Sequence, residues 1–256
     1  RNSIVNNGPH ETMHYNGDDQ DGAAIVISMN NVEIFDNYIW RSYYHGINFG
    51  SGSNASNVVI TRNRIIRPSV YAGDCGGIYN IFFNNTSTAT PPTNRFVYGN
   101  WIDSSICWTY GRRTAQSGSS KGIYNDARTY NVIYYNNLIT NCDMAFANNS
   151  PTNVIIRDNT CIALRGVNFR RISVGNSTGF SIRSNLFSLT TNTSIMYSYY
   201  GENFGGQTIA QDFAGDVSID SNICNSVNKA YNSNLATNEN LSANYFIADW
   251  RTLTGV

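Results

Sequence analysis

Charge is what this chain has least of. Only 13% of its 256 residues are Asp, Glu, Lys or Arg, and the two signs cancel at 17 each. Lysine occurs only at Lys121 and Lys229. A surface this poor in cations has no basic stripe interleaved with aromatics, which argues against a nucleic-acid partner. Nor does any apolar run approach the ~20 residues that a membrane-spanning helix needs. Five cysteines are an odd number, and their spacings fit no zinc motif. Polarity comes instead from Asn, Ser, Thr and Tyr. That makes a neutral, hydrogen-bonding surface, suited to sugars and to an extracellular or cell-surface location.

What the chain has in abundance is one short phrase. Val58–Ile65 reads VVITRNRI, and the phrase returns as VEIFDNYI at 32–39, RFVYGNWI at 95–102, VIYYNNLI at 132–139 and VIIRDNTC at 154–161. FSIRSNLF at 180–187 and VSIDSNIC at 217–224 continue it. A worn copy sits at 241–246, and the chain opens inside another at 2–4. Aligned on their asparagine, the copies are anchored at Asn2, Asn37, Asn63, Asn100, Asn137, Asn159, Asn185, Asn222 and Asn244. The separations are 35, 26, 37, 37, 22, 26, 37 and 22 residues.

Two residues after the anchor come Ile39, Ile65, Ile102, Ile139, Cys161, Phe187 and Cys224. Three before it come Ile34, Ile60, Val97, Tyr134, Ile156, Ile182 and Ile219. Apolar residues two apart mean short strands with one buried face. A fixed strand motif at an irregular period means a core of constant section with loops of variable length. This predicts an all-β parallel β-solenoid of about eight coils, each touching only its neighbours, with the loops on one edge. It is read as one domain over residues 1–256, with further sequence expected at both ends because Arg1 falls inside a repeat. The anchor asparagine is expected at a bend, because Asn tolerates unusual dihedrals. Stacked along the axis, each amide would donate to one neighbour and accept from the next.

A second element lies between the anchors: Gly46-Ile47-Asn48-Phe49, Gly77-Ile78-Tyr79-Asn80 and Gly122-Ile123-Tyr124-Asn125-Asp126, with weaker copies at Met144–Ala147 and Gly166–Arg170. Gly22-Ala23-Ala24-Ile25 fits as the first. It predicts another parallel sheet, entered through a glycine that permits a sharp turn. With the isoleucines inward, Asn48, Tyr79, Tyr124 and Asn168 face out, and the next outward row holds Asp126, Asn148 and Arg170. Long insertions are expected at 8–31, 66–76, 83–94, 103–121 and 189–216. Cys161 and Cys224 fall in the buried column two coils apart, ~9–10 Å by strand spacing, too far for a disulfide.

These phrases resemble the generic repeat of the right-handed parallel β-helix superfamily of pectate-lyase-like, carbohydrate-active proteins, over nearly the whole chain. That resemblance implies a single-stranded right-handed parallel β-helix. Asn6-Asn7-Gly8-Pro9-His10-Glu11 is similar to a Gly-Pro-His patch of some β-helix glycoside hydrolases. Gly73–Tyr79 resembles their Asp-x-Gly-x-Ile-Tyr segment, and Gly122–Asp126 their Ile-Tyr-Leu-Asp-Asp segment. Pro9-His10-Glu11 is also similar to a patch of mannuronan epimerases, with Gly8 standing where those have an acid.

Glycosidic hydrolysis needs two carboxyls across the scissile bond, one protonated and one ionised. The candidates are Asp74 and Asp126, with His45 as a further catalytic group that titrates near neutrality. Tyr79, Tyr124, Asn48, Arg170, Lys121 and His10 are candidates for binding substrate. Asp18, Asp19 and Asp21 gather three carboxylates before Gly22, where a hard cation such as calcium would fit; the hydrolytic chemistry itself requires no cofactor. The reading is a secreted enzyme acting on a polysaccharide, most simply a glycoside hydrolase. Uronate lyase and epimerase chemistry rank below it, because Lys121, Arg170 and Arg171 are sparse cations for a polyuronate groove. The alternative is a non-catalytic β-helix: a spike, an adhesin or a filament subunit, associating end to end or side by side.

Overall fold

The computed structural model describes residues 3–5, 22–49, 55–68, 75–81, 90–105, 120–126, 129–149, 151–171, 179–189, 195–201, 217–225, 229–235 and 244–245. Among them every regular element is a β-strand, and the strands form two sheets. Successive copies of the repeated phrase pair side by side in parallel.

The residues before each anchor build a seven-stranded sheet that runs in chain order from Val32–Phe35 through Val58–Thr61, Arg95–Tyr98, Tyr130–Tyr135, Thr152–Arg157 and Phe180–Arg183 to Val217–Asp220. The residues after each anchor build one column of the larger sheet. Its register is Ile4, Ile39, Ile65, Ile102, Ile139, Cys161, Phe187, Cys224, each beside the next. The glycine-led segments build the second column, in the register Ile25, Ile47, Ile78, Ile123, Phe146, Val167, Tyr197, Tyr231. Two long strands, Leu138–Asn149 and Thr160–Arg171, belong to both columns and join them.

Three stretches differ from the sequence reading. Ile195–Gly201, expected within an insertion, is a strand of the glycine column. It lacks the leading glycine that Gly166 supplies on the strand before it. Ile25–Ile27 is the first strand of the glycine column, as the Gly22–Ile25 copy predicts, but it lies inside the insertion expected at 8–31, and in register it is Ala24, not Gly22, that precedes the residue paired with Ile47. The worn copy near the end joins the glycine column instead of the anchor column: Asn244–Tyr245 pairs antiparallel with Lys229–Leu235. Five residues before Asn244 the sequence has Glu239, where the other copies carry Val, Phe or Arg95.

The anchor asparagines form a continuous hydrogen-bonded row. Asn37 Nδ2 donates to Asn63 Oδ1 at 2.9 Å, and the same bond runs on through Asn100, Asn137, Asn159 and Asn185 to Asn222 at 2.9–3.0 Å. Each receiving oxygen also accepts the backbone N–H of the preceding asparagine, at 3.0–3.1 Å. From Asn63 onward, Nδ2 also donates to the carbonyl three residues before the preceding anchor. Asn63, Asn100, Asn137, Asn159 and Asn185 are buried, so these bonds satisfy amides that have no water.

The bend itself is made by another residue. Asp36, Arg62, Gly99, Asn136, Asp158, Ser184 and Ser221, each immediately before an anchor, carry φ of 51–64°. The asparagine serves as the hydrogen-bonding post behind the corner, and its neighbour supplies the left-handed turn. A second left-handed corner precedes the seven-stranded sheet at Asn31, Asn57, Asn94, Asn131, Asn153 and Gly179. Here too the side chains stack, Asn57 Nδ2 on Asn31 Oδ1 at 2.8 Å and Asn94 Nδ2 on Asn57 Oδ1 at 2.9 Å. A third follows the anchor strand at Arg41, Arg67, Ser104 and Asn141.

The glycines at the head of the second column answer to space. A Cβ on Gly77 would lie 2.4 Å from Ile102 Cγ2, and one on Gly122 would lie 2.5 Å from Ile139 Cγ2. Neither has a left-handed φ. Each therefore lets the stacked isoleucines of the anchor column close against the next column, where a turn was expected to be the reason.

The core holds those isoleucines with Val58, Ile60, Val97, Val132, Val154, Ile156, Phe180 and Ile182. One member of the inner row is charged. Arg95 stands between Val58 and Val132 in register and is buried. Its guanidinium lies over the Phe49 ring, donates through Nη1 to Tyr130 O at 3.2 Å, and donates through Nη2 to Asn80 Oδ1. Burial lowers its pKa to about 10, which leaves it protonated at neutral pH.

Candidate functional site

The outer face of the glycine column carries most of the candidates. Register places Asn48, Tyr79 and Tyr124 in one outward row, followed by Ala147, and Asn168 pairs with Ala147 on the next strand. The next outward row contains Ile81 and Asp126, and Asn149 lies beside Asp126. Asn148, expected next to Asp126, pairs with Asn125 and faces the core. The weak copy at Met144–Ala147 begins without a glycine, and this hid the true register by one residue. Arg170 lies opposite Asn149, one strand further from Asp126.

This face is packed. The His45 ring stacks on Tyr79 with centroids 3.9 Å apart and planes 11° apart, and Tyr44 lies 4.0 Å away on a tilt. The Gly76 N–H donates to His45 Nδ1 at 3.3 Å. The ring proton therefore sits on Nε2, which meets no hydrogen-bond partner among the described residues. Tyr79 meets Tyr124 edge-on at 5.3 Å, and Lys121 Nζ lies 4.2 Å from the Tyr124 centroid. Tyr79, Ile81, Tyr124, Met144 and Ala147 form a small apolar cluster on the outside of the sheet. His45, Asn48, Tyr79, Tyr124 and Lys121 are all buried, and Asp126 alone of the candidates here is half-exposed.

Electrostatics follow from that burial. Desolvation, and then the Lys121 ammonium, push His45 well below the usual imidazole value, so it is neutral at neutral pH. Asp126 is held at two points. Tyr79 Oη donates to Oδ2 at 3.1 Å, and Asn149 Nδ2 donates to Oδ1 at 2.6 Å. Asn149 also donates to Tyr124 Oη at 3.0 Å. The carboxylate is thus fixed in orientation at the edge of a rigid aromatic cluster, the kind of support an acid or base needs to act at one place.

No protein-family model matches the chain, and searches of curated proteins and of solved structures find no significant match.

Asp74, His10, Asp18, Asp19 and Asp21 lie outside the described residues. Among the described residues no group of three or more His, Cys, Asp or Glu side chains is close enough to hold a metal ion. Cys75, Cys142 and Cys161 are buried free thiols, and the Cys161–Phe187–Cys224 register separates Cys161 from Cys224 by one strand.

Sequence reasoning missed a polar set on the inner side of the same column. Asn80, Asn125 and Asn148 stack in register; Asn125 Nδ2 donates to Asn148 Oδ1 at 2.7 Å, and Tyr134 Oη donates to Asn125 Oδ1. Burial pushes the Tyr134 hydroxyl well above its usual pKa, so it stays protonated as a donor. The available signal was the Asn that closes both Gly77-Ile78-Tyr79-Asn80 and Gly122-Ile123-Tyr124-Asn125, with Asn148 at the same register in the copy that lacks the glycine.

Proposed function

We propose that the chain folds as a single-stranded right-handed parallel β-helix of about eight coils and acts outside the cell on a polysaccharide, hydrolysing glycosidic bonds at the rim of the glycine column. The observation that carries this reading is Asp126: a half-exposed carboxylate on the outer face, oriented by Tyr79 Oη and Asn149 Nδ2. Asp126 and Asp74 act as the acid–base pair in either order. One protonates the glycosidic oxygen as its bond to the anomeric carbon breaks, while the other takes a proton from the attacking water. His45 and the two tyrosines keep the rim rigid. Their burial makes them supports for Asp126 more than a platform for sugar rings.

The test is a polysaccharide-degradation panel on the intact protein, with product stereochemistry read by NMR. Asp126→Asn preserves shape and removes charge, so folding should survive while turnover falls by at least about 100-fold, the scale of lost acid–base catalysis. Full activity in Asp126→Asn would overturn the assignment.

A second reading is favoured by the packed state of the same face. With His45, Tyr79, Tyr124 and Lys121 buried, the column resembles a structural seam, as a spike, adhesin or filament subunit would have. Absence of depolymerising activity across the panel, with the fold intact, would favour it.

A further inference from the structure

The anchor column has an outer face of its own, and it is apolar where most of the molecule is polar. One outward row reads Tyr38, Arg64, Trp101, Leu138, Thr160, Leu186, Ile223 in register. Beside it runs Trp40, Ile66, Asp103, Thr140, Ile162, Ser188. Leu138, Ile162, Leu186 and Ile223 are 37%, 36%, 42% and 66% exposed; Leu186 pairs with Ile223, and Thr160 stands between Leu186 and Leu138. Contiguous exposed apolar surface on a folded chain marks an interaction site more often than chance.

We propose that this face is the contact through which two copies of the chain associate side by side, sheet face against sheet face. It rests on the sheet register alone and does not depend on the catalytic reading above. Three observations select a second copy over a glycan or an unrelated protein. First, the aromatic rings offer a sugar little free face: the Arg64 guanidinium lies over Trp101 at 4.3 Å and over Tyr38 at 5.5 Å, and Trp101 Nε1 is committed to Thr140 Oγ1 at 3.2 Å. In the aliphatic half the hydroxyls are those of Thr160 and Ser188, set among Leu138, Ile162 and Leu186, and no amide or charged side chain of these rows stands there to fix a sugar.

Second, the face carries no net charge to seek an oppositely charged partner. Arg64 and Asp103 lie on adjacent strands, and the Asp103 carboxylate already accepts from Thr140, Asn141 and Ser104 at 2.6–2.9 Å. The whole chain is also neutral at pH 7, so copies do not repel one another. Third, the side chains repeat at the ~4.8 Å strand spacing, a corrugation that another stack of the same strands matches along its whole length.

Area sets the strength. Seven strands span ~29 Å and three residues span ~10 Å, giving a stripe of roughly 300 Å² per copy. That is well under the ~800 Å² per partner of a stable complex. The expected contact is isologous, reversible and concentration-dependent, in the micromolar range or weaker.

Sedimentation velocity on the full chain across a wide concentration range tests this. Wild type should shift toward dimer as concentration rises. Leu186→Lys and Ile223→Lys, both outward changes that leave the core intact by circular dichroism, should remain monomeric. Ser181→Lys, on the outer face of the seven-stranded sheet, should associate like wild type. A monomer at every concentration overturns the proposal, as does association that survives both stripe lysines. A monomeric wild type whose retardation in a glycan-containing gel is lost in Leu186→Lys would assign the face to a glycan and overturn it as well.

Discussion

The guanidinium of Arg95 lies 4.7 Å above the ring of Phe49 inside the core. Among the described residues it has no carboxylate partner; its bonds go to Asn80 Oδ1 and Tyr130 O, and its Nε–H goes unmet. A buried cation with incomplete partners is costly, and an apolar group of similar volume often replaces such a charge without loss. Arg95→Met should therefore match the parent to within about 1 kcal/mol or exceed it. Arg95→Ala loses the same two hydrogen bonds as Arg95→Met and in addition opens a cavity, a further loss of about 2 kcal/mol or more. Denaturant titration of both variants checks this. Equal losses would mean that the cation itself, and not its volume, stabilises the core.

The asparagine row predicts a larger penalty than its small side chain suggests. Asn137 accepts two bonds from Asn100 and donates to Asn159 Oδ1 and Val97 O. Asn137→Leu would leave buried donors unmet on one side and acceptors on the other. The loss should exceed about 1 kcal/mol, read as a lowered denaturation midpoint. A neutral result would mean the row contributes little net stability.

His45 predicts sensitivity to acid. Burial and Lys121 hold its folded pKa well below the unfolded value near 6.5. Below that value the unfolded chain binds a proton that the folded chain refuses, so the unfolded state gains. The stability associated with neutral His45 is complete above about pH 6.5 and is lost as pH falls from there toward the folded pKa, by about 1.4 kcal/mol per pH unit. Melting temperature between pH 7 and 5 should fall less steeply in His45→Gln than in the parent. Identical slopes would show that His45 does not titrate differently in the two states.

The inward stack from Ile39 to Phe187 and the asparagine row were legible because a strand repeats every two residues and the anchor never shifts. The corners were legible only in part. Asn31, Asn57, Asn94, Asn131 and Asn153 all stand six residues before an anchor, yet an asparagine-rich chain hides one row behind another. Arg95 was unreadable because a cation at the start of a strand reads as an exposed end. The site was half legible. The glycine-led phrase located Asp126, but not Asn149, since a one-residue slip in a weak copy moves every side chain to the other face. Nothing in composition told that Tyr79 and Tyr124 would be covered, because whether a ring faces solvent or a neighbour is decided by the chain that folds over it.

In four successive turns the frame from the corner before the anchor to the corner after it is invariant. Residues 31–41, 57–67, 94–104 and 131–141 each set left-handed residues at the same three places, and the variation in period falls elsewhere. New sequence can therefore enter on either side of the glycine-led strand without disturbing the asparagine row or the isoleucine stack. The chain works like a spine with interchangeable ribs. A segment moved from one turn to another, or replaced by a foreign one, changes what the molecule presents while leaving the axis that presents it as it was.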